Sequence, residues 1–262
     1  MSPFLDQLTK SFRQPEFWAY SSWLDIVTKY RRTRLGMLWL VLPTAVFIVV
    51  LGNVYSHLMG YPVEQYLPYL GVGYVCWRFM LQCINESSTV FRGHKAFIMD
   101  GRVRLTDFIL RAIAKPLFYF LFAFAVVVGV LLWSPAVPWS GLATLVVTLP
   151  ILLVNMIWLS FCIALVGARF PDTSELISTV LVVGFLLTPI LWHVEKFPPD
   201  TTRGLLARMN PAFHLIEVVR APVLGQMPEN ATLIAVMLMT LAGWLMASLL
   251  YRRYARFVPL WI

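Results

Sequence analysis

Long apolar runs alternate with short polar segments along most of the chain. Six runs each hold about 20 mainly apolar residues, the length that an α-helix needs to cross the hydrocarbon core of a membrane. The pattern predicts an all-α membrane protein with six transmembrane helices in one membrane domain over residues 1–262. The predicted helices cover residues 37–59, 67–90, 109–133, 142–168, 176–194 and 231–251.

Residues 15–33, ahead of the first run, mix aromatic and charged side chains. Trp18, Tyr20 and Trp23 stand close to Lys29 and Arg31. Aromatic and basic residues together are typical of a helix that lies in the membrane interface. The segment therefore predicts an N-terminal amphipathic interface helix, and the alternative is an extension of the first transmembrane helix.

Residues 195–229 form the longest segment on the predicted outer side. They are rich in proline, with apolar stretches at 205–206 and 215–219 between the prolines. Short re-entrant or interfacial helices, packed against protein in the outer leaflet, fit this pattern. A simple extracellular loop is the alternative.

Lys and Arg are distributed unevenly between the two sides of the predicted bundle. With the N-terminus inside, sixteen of the 21 lie on the inner side, four on the outer side, and Arg78 within a run. The outer loops at 57–66 and 134–141 contain neither residue type. Because basic residues favour the cytoplasmic side, both termini are predicted to be cytoplasmic.

The composition excludes a soluble protein. Hydrophobic residues make up 59% of the chain, charged residues 13%, and the mean hydropathy is +0.74. A soluble domain of this length needs far more charge on its surface. The net charge of +8 does not indicate a nucleic-acid partner, because the basic residues lie at the ends of apolar runs.

Motifs for catalysis, metal binding and nucleotide binding are absent from the sequence. There is no phosphate-binding glycine loop, no zinc-protease motif, and the four histidines lie in different segments. Glu86 and Asp107 are carboxylates near run ends, and the run centres are nearly free of them. We therefore expect no catalytic or metal site, no cofactor on this chain, and a partner that supplies energy.

Arg78 is the one charge deep inside a run. A buried arginine is expensive in hydrocarbon and normally faces protein or water. The residue either contacts anionic or polyhydroxyl cargo or forms a structural pair. Glu86, two helical turns away, is about 12 Å along the axis and is a poor candidate for direct pairing.

Two further sets of residues share helical faces and include aromatic side chains. Phe47, Leu51 and Tyr55 recur at helical spacing, and Phe185, Thr188 and Trp192 lie close on another face. Trp77 adjoins Arg78. Aromatic faces are flat, apolar surfaces on which sugar rings stack. The spacing alone does not decide which face lines a channel.

Four motifs occur in an order found in one transporter family. They are Arg34–Trp39 followed by Pro43, Phe170–Leu176 after the fourth run, Thr188–Ile190 closing the fifth, and Asn210–Glu217 followed by Arg220. With these motifs the chain resembles the permease subunit of type-2 ABC exporters. The resemblance is to the branch that exports lipid-linked polysaccharides such as O-antigen, capsule and teichoic acid.

The resemblance implies a homodimer in the bacterial inner membrane, with two cytoplasmic ABC ATPase subunits that bind ATP and Mg. The lipid-linked glycan and membrane lipid would be the other partners. Residues implied to contact the ATPase are Asp25, Lys29, Arg31, Arg34, His94, Phe97, Asp100, Arg102, Asp172 and Glu175. The channel would lie at the dimer interface, with a translocation pathway of Phe47, Leu51, Tyr55, Trp77, Arg78, Phe185, Thr188 and Trp192.

Two other functions stay open from the sequence. An ABC-2 exporter of a small amphiphile or drug would have the same architecture. A membrane-embedded glycosyl- or acyltransferase would carry paired acidic residues or a histidine at the membrane surface, whereas this sequence has isolated carboxylates.

Overall fold

The structure, a computed structural model, describes residues 3–135, 137–198 and 200–262, so Ala136 and Pro199 of the predicted outer segments lie outside it. The described residues are helical and include no strand, which confirms an all-α protein. The α-helices, in chain order, are α1 Pro3–Arg13, α2 Ser21–Tyr30, α3 Leu38–Met59, α4 Val63–Gly93, α5 Lys95–Asp100, α6 Leu105–Trp133, α7 Leu145–Arg169, α8 Thr173–Leu187, α9 Thr202–Met209, α10 Pro211–Val223, α11 Asn230–Tyr254 and α12 Val258–Trp261.

In the part of the chain that the structure describes, four helices are long and apolar enough to cross a membrane, so the chain is a multi-pass membrane protein. They are α3, α6, α7 with the short helical turn before it, and α11 with its continuation to Trp261. These four correspond to the first, third, fourth and sixth predicted runs. The other two predicted runs are not among these four helices.

The second run, predicted at 67–90, is part of the 31-residue helix α4. Its second half carries Arg78, Gln82, Asn85 and Glu86, so its composition is more polar than that of the four apolar spans. The protein itself surrounds this helix, since α3, α6, α7, α8 and α10 all pack against it. Burial inside protein is what allows polar side chains at this depth.

The fifth run, predicted at 176–194, forms a shorter helix. Helix α8 ends at Leu187 after 15 residues, and Thr188 is extended (ψ 136°). Pro189 follows, and a residue before proline is sterically pushed away from the helical conformation. Thr188–Ile190 are nevertheless buried, so the chain continues inside the protein as a loop.

Helix α1 was not predicted from the sequence. Phe4 is fully buried against the rings of Phe161, Trp244 and Tyr251, with centroids 4.8, 5.7 and 5.4 Å away. Ser11 shares a 2.7 Å hydrogen bond with Thr106 at the start of α6. The N-terminal helix is thereby attached to α6, α7 and α11.

The predicted interface helix at 15–33 is helical over a shorter range. A π-helical turn, Glu16–Tyr20, leads into α2, which ends at Tyr30. Ile26 is buried, Trp23 packs on Phe118 of α6, and Tyr20 and Leu24 are exposed. This division into packed and exposed faces is the one expected of an amphipathic helix.

The predicted outer segment, residues 195–229, contains the two short helices α9 and α10, as well as a buried charge. Arg220 of α10 pairs with Glu217, donates a 2.7 Å hydrogen bond to the carbonyl of Pro189, and lies 3.9 Å from the ring of Tyr69. His193 stacks on Tyr69 with ring centroids 3.7 Å apart.

Helices α4 and α7 approach closely through small residues. Ser160, Ala164 and Ala168 recur at four-residue spacing in α7 and are buried, and small residues at this spacing let helices pack closely. Beside them, a methyl group on Gly167 would overlap the main-chain carbonyl of Ser88 in α4. Backbone atoms cannot rotate away as a flexible side chain does, so glycine is required at this contact.

We predict that Gly167→Ala separates α4 from α7 and destabilises the protein by about 1–3 kcal/mol, the usual effect of overpacking. Thermal unfolding of the purified protein in detergent measures the change. The control is Gly129→Ala in α6, which faces open space. That variant should be unchanged or more stable, by up to about 1 kcal/mol, because alanine is the better helix former. Equal melting temperatures for the two variants would contradict the contact.

Candidate functional site

The residues predicted to contact an ATPase lie at one end of the helix bundle. His94, Phe97 and Asp100 belong to α5 or its N-terminal boundary, between the end of α4 and the start of α6. Asp172 and Glu175 lie at the start of α8. Arg92 connects the end of α4 to the turn before α8, because its guanidinium donates a 3.0 Å hydrogen bond to the carbonyl of Pro171.

An aromatic cluster connects α5 to the segment before α2. The ring of Phe17 meets Phe97 at 6.1 Å and Phe108 at 5.4 Å, edge to face in both cases. His94 lies 5.3 Å from Phe108, and its Nδ1 is 2.8 Å from the carbonyl of Val90. Phe97 is still 53% exposed. A half-exposed phenylalanine on a short, anchored helix is a suitable anchor for a partner protein.

The charged residues around this cluster differ in their surroundings. Asp25 pairs with Arg111 of α6, whereas Asp100 and Arg102 form an exposed pair at 3.2 Å. Lys29 lies over the rings of Tyr30 and Tyr119. The remaining predicted contact residues are exposed, namely Arg31, Arg34, Asp172 and Glu175.

Part of the predicted translocation pathway forms one aromatic cluster between α3, α4 and α8. Phe47 stacks flat on Tyr74, with centroids 3.7 Å apart. Phe185 lies 6.3 Å from Phe47 and 6.0 Å from Trp77. The guanidinium of Arg78 lies 5.8 Å from the ring of Tyr74 and donates a 2.6 Å hydrogen bond to Thr44. Tyr74 and Thr44 were not singled out from the sequence.

The other pathway candidates lie away from this cluster. Leu51 and Tyr55 are half-buried against the core, and Trp192 meets Phe197 edge to face at 5.4 Å. Thr188 is buried and accepts a 2.8 Å hydrogen bond from the side chain of Asn210. Trp77 is buried as well. In a single chain, therefore, Trp77 and Thr188 contact protein rather than an open channel.

Helix α8 leaves a large apolar surface uncovered. None of its 15 residues, all of them described, is buried in the chain, and Leu176, Val180, Val183 and Leu187 are exposed. The adjoining helix α3 also exposes apolar side chains, among them Val46, Val50 and Val54. Apolar surface of this extent faces lipid or another protein surface.

Two cavities flank the aromatic cluster. A polar one of about 450 Å³ lies toward the end of the bundle that carries α5, and Lys29, Arg78, Glu86 and Lys115 contribute its charges. An apolar one of about 770 Å³ lies at the opposite end, where Trp192 and Leu206 line it.

The residues that the sequence did not single out act mainly as connectors. Arg92 ties α4 to the turn before α8, and Lys115 pairs with Glu86 at 2.6 Å. Asn155, fully buried in α7, donates a 2.9 Å hydrogen bond to Thr240 of α11. A lone polar residue inside an apolar run was the available signal for Asn155, since such a residue requires a partner.

Comparisons with known proteins agree with this architecture. Two polysialic acid transport proteins KpsM from Escherichia coli are 22% and 23% identical to this chain, over 87% of it and 89% of each relative. The O-antigen export system permease protein RfbA from Myxococcus xanthus is 22% identical over 75% of this chain and 76% of the relative. The family model described as ABC-2 type transporter matches residues 18–224. The chain therefore belongs to the ABC-2 type transporter family, as its motifs indicated, and is a transporter subunit rather than an enzyme.

Proposed function

We propose that this chain is the permease of an ATP-driven exporter. The exporter moves lipid-linked polysaccharide, namely the O-antigen of lipopolysaccharide or capsule, across the bacterial inner membrane. One observation carries the proposal. Relatives named for polysialic acid transport and O-antigen export align with three quarters or more of the chain. Family membership and the apolar spans support the same reading.

The proposed topology has six membrane crossings, with both termini in the cytoplasm. Helix α4, at 31 residues, is long enough to cross, and neighbouring helices cover its polar positions. Helix α8 is only about 22 Å long against a hydrocarbon core of about 30 Å. The buried loop after it, held by the bond from Asn210 to Thr188, supports a crossing that helix and loop complete together.

The proposed transporter is a homodimer bound to two ATPase subunits that carry ATP and Mg. The uncovered apolar faces of α3 and α8 support a second copy at this surface. The pathway residues Phe47 and Phe185 stand on these two helices, so pairing there would bring both copies' aromatic clusters toward one axis. A lining of aromatic rings offers many weak sugar contacts, which lets a polymer slide without a deep trap.

In the proposed mechanism, ATP acts on the partner and this chain transmits the movement. ATP binding favours one state of the ATPase pair, and that preference reaches the channel only through contacts that differ between the two states. The half-exposed Phe97 and the bond from Arg92 to Pro171 support α5 and the turn before α8 as those contacts. Movement of the turn would shift α8, on which Phe185 stands.

Export of a small amphiphile or drug is the second candidate function. The apolar outer cavity of about 770 Å³ favours it, because that volume is typical of sites for drug-sized ligands. The basic side chains of Lys196 and Arg203 also line this cavity.

Deletion of this chain from its host separates the two functions. Polysaccharide export predicts the loss of surface glycan and the accumulation of lipid-linked glycan in the inner membrane, because synthesis continues without an exit. Surface labelling and glycolipid extraction measure both, with the restored wild-type chain as control. Unchanged surface glycan, together with a new sensitivity to amphiphilic drugs, would contradict polysaccharide export and support the second function.

The coupling role of α5 predicts that Phe97→Ala lowers ATP-dependent export by about tenfold or more, since an interface anchor typically contributes 2 kcal/mol or more. Export and co-purification of the ATPase are measured together. The matched control is Phe12→Ala in α1. Phe12 is 49% exposed and also makes one edge-to-face aromatic contact, with Trp18. Normal export and ATPase recovery in Phe97→Ala would exclude the residue from the contact.

A further inference from the structure

The polar cavity near the α5 end of the bundle is built from four helices. Lys29 lies near the end of α2, Leu40 lies near the start of α3, Arg78 and Glu86 lie on α4, and Lys115 lies on α6. Leu40 is near the first residue of its helix, and Glu86 is near the last residues of α4, which runs back along α3. The cavity therefore opens near the level of the cationic segment that precedes α3.

Positive charge exceeds negative charge in this cavity. Lys29, Arg78 and Lys115 oppose the single carboxylate Glu86, which leaves two positive charges in excess. Glu86 is 2.6 Å from Lys115. Neither Arg78 nor Lys29 forms an ion pair in the part of the chain that the structure describes. Their contacts are the hydroxyl of Thr44 for Arg78 and tyrosine rings for both side chains.

The cations lie at different positions along the cavity. Lys29 is exposed at the surface, Lys115 lies ten residues into α6, and Arg78 donates its hydrogen bond to Thr44, six residues after the start of α3. An unpaired arginine at that position is costly unless water or an anion compensates it. The polar side chains of Gln82 and Asn85 line the cavity between Arg78 and Glu86.

Apolar and aromatic side chains adjoin the charged groups. Trp39, Leu40, Pro116 and Tyr119 line the same cavity, and Trp39 is itself substantially exposed. A ligand that fits both halves carries an anionic group of several acceptor oxygens next to an apolar chain. A phosphate or diphosphate ester of a lipid has this composition, and arginine is well suited to bind its oxygens in pairs.

We propose that this cavity binds the phosphate or diphosphate group that joins lipid to glycan in the cargo. The inference rests on the proposed function and adds to it that the lipid end is recognised. Arg78 holds the anion, Lys29 and Lys115 attract it from the cytoplasmic surface, and Glu86 restrains Lys115 until the anion arrives. Because the phosphate is common to cargo of every length, recognition here does not depend on glycan length.

Binding is tested on the full chain in phosphatidylcholine nanodiscs by isothermal titration calorimetry. The probes are farnesyl diphosphate, inorganic pyrophosphate and farnesol. Farnesyl diphosphate should bind, farnesol should not, and pyrophosphate should bind more weakly than farnesyl diphosphate. Farnesol binding as tight as farnesyl diphosphate binding would overturn the anion site. Pyrophosphate binding as tight as farnesyl diphosphate binding would overturn the lipid source and leave a site for free anions.

Three variants separate charge recognition from a structural role. Arg78→Gln should weaken farnesyl diphosphate binding by about tenfold or more, the usual loss for a hydrogen bond to a charged group. Glu86→Gln should tighten it, because the competing carboxylate is removed. Arg252→Gln removes an exposed charge at the end of α11, outside the cavity, and should leave the affinity unchanged.

If Arg78 has only a structural role, Glu86→Gln is not expected to bind farnesyl diphosphate more tightly. The Glu86→Gln variant therefore tests the proposal even if Arg78→Gln folds poorly. Weaker or unchanged binding in Glu86→Gln would overturn the proposal. The assay needs no ATPase and no export. Failure of binding alongside normal polysaccharide export would remove only the cavity, whereas normal binding without any glycan defect on deletion would remove the export function.

Discussion

Hydrocarbon cannot solvate polar groups, and this constraint organises the whole chain. The apolar helices α3, α6, α7 and α11 form the surface that lipid can contact. Polar side chains are gathered where protein surrounds them, chiefly along α4 and the loop that packs on it. Arg220 satisfies this rule by bonding Glu217 and the Pro189 carbonyl, and Asn155 satisfies it through Thr240. Groups that break the rule are the ones that indicate function.

Arg78 breaks the rule most clearly, because it is deep and has no carboxylate partner among the described residues. Its neighbours are the aromatic cluster on one side and the polar cavity on the other. Helix α8 departs from the rule in the opposite sense, since many of its apolar side chains are exposed and none of its residues is buried by its own chain. Both features are explained if the single chain is half of a transporter. In that case Arg78 contacts the cargo, and a second copy of the chain covers the apolar surface of α8.

The fold was largely predictable from the sequence, because a long apolar run has few alternatives to a spanning helix. Helix α1 was missed since its apolar positions, such as Phe4 and Leu8, are few and contact α11, which follows more than 200 residues later. The early end of α8 had a local signal in Pro189, which the apolar composition of the run outweighed.

The site was less predictable than the fold. Helical spacing grouped Phe47 with Leu51 and Tyr55, and Phe185 with Thr188 and Trp192. The stack of Phe47 on Tyr74, however, joins two separate helices, and no local sequence pattern encodes such a contact. The same holds for the bond from Arg92 to Pro171, which spans 79 positions. The motifs that indicated the family supplied what spacing did not, namely which end of the bundle to regard as the coupling surface.

In the proposed transporter, this chain conducts the cargo and a separate ATPase drives the transport. Proteoliposomes that contain the chain alone, or the chain with its ATPase, test this directly through the transport of lipid-linked glycan on addition of ATP. We expect the glycan to accumulate only when the ATPase and hydrolysable ATP are both present. Accumulation against a gradient by the chain alone would contradict this expectation.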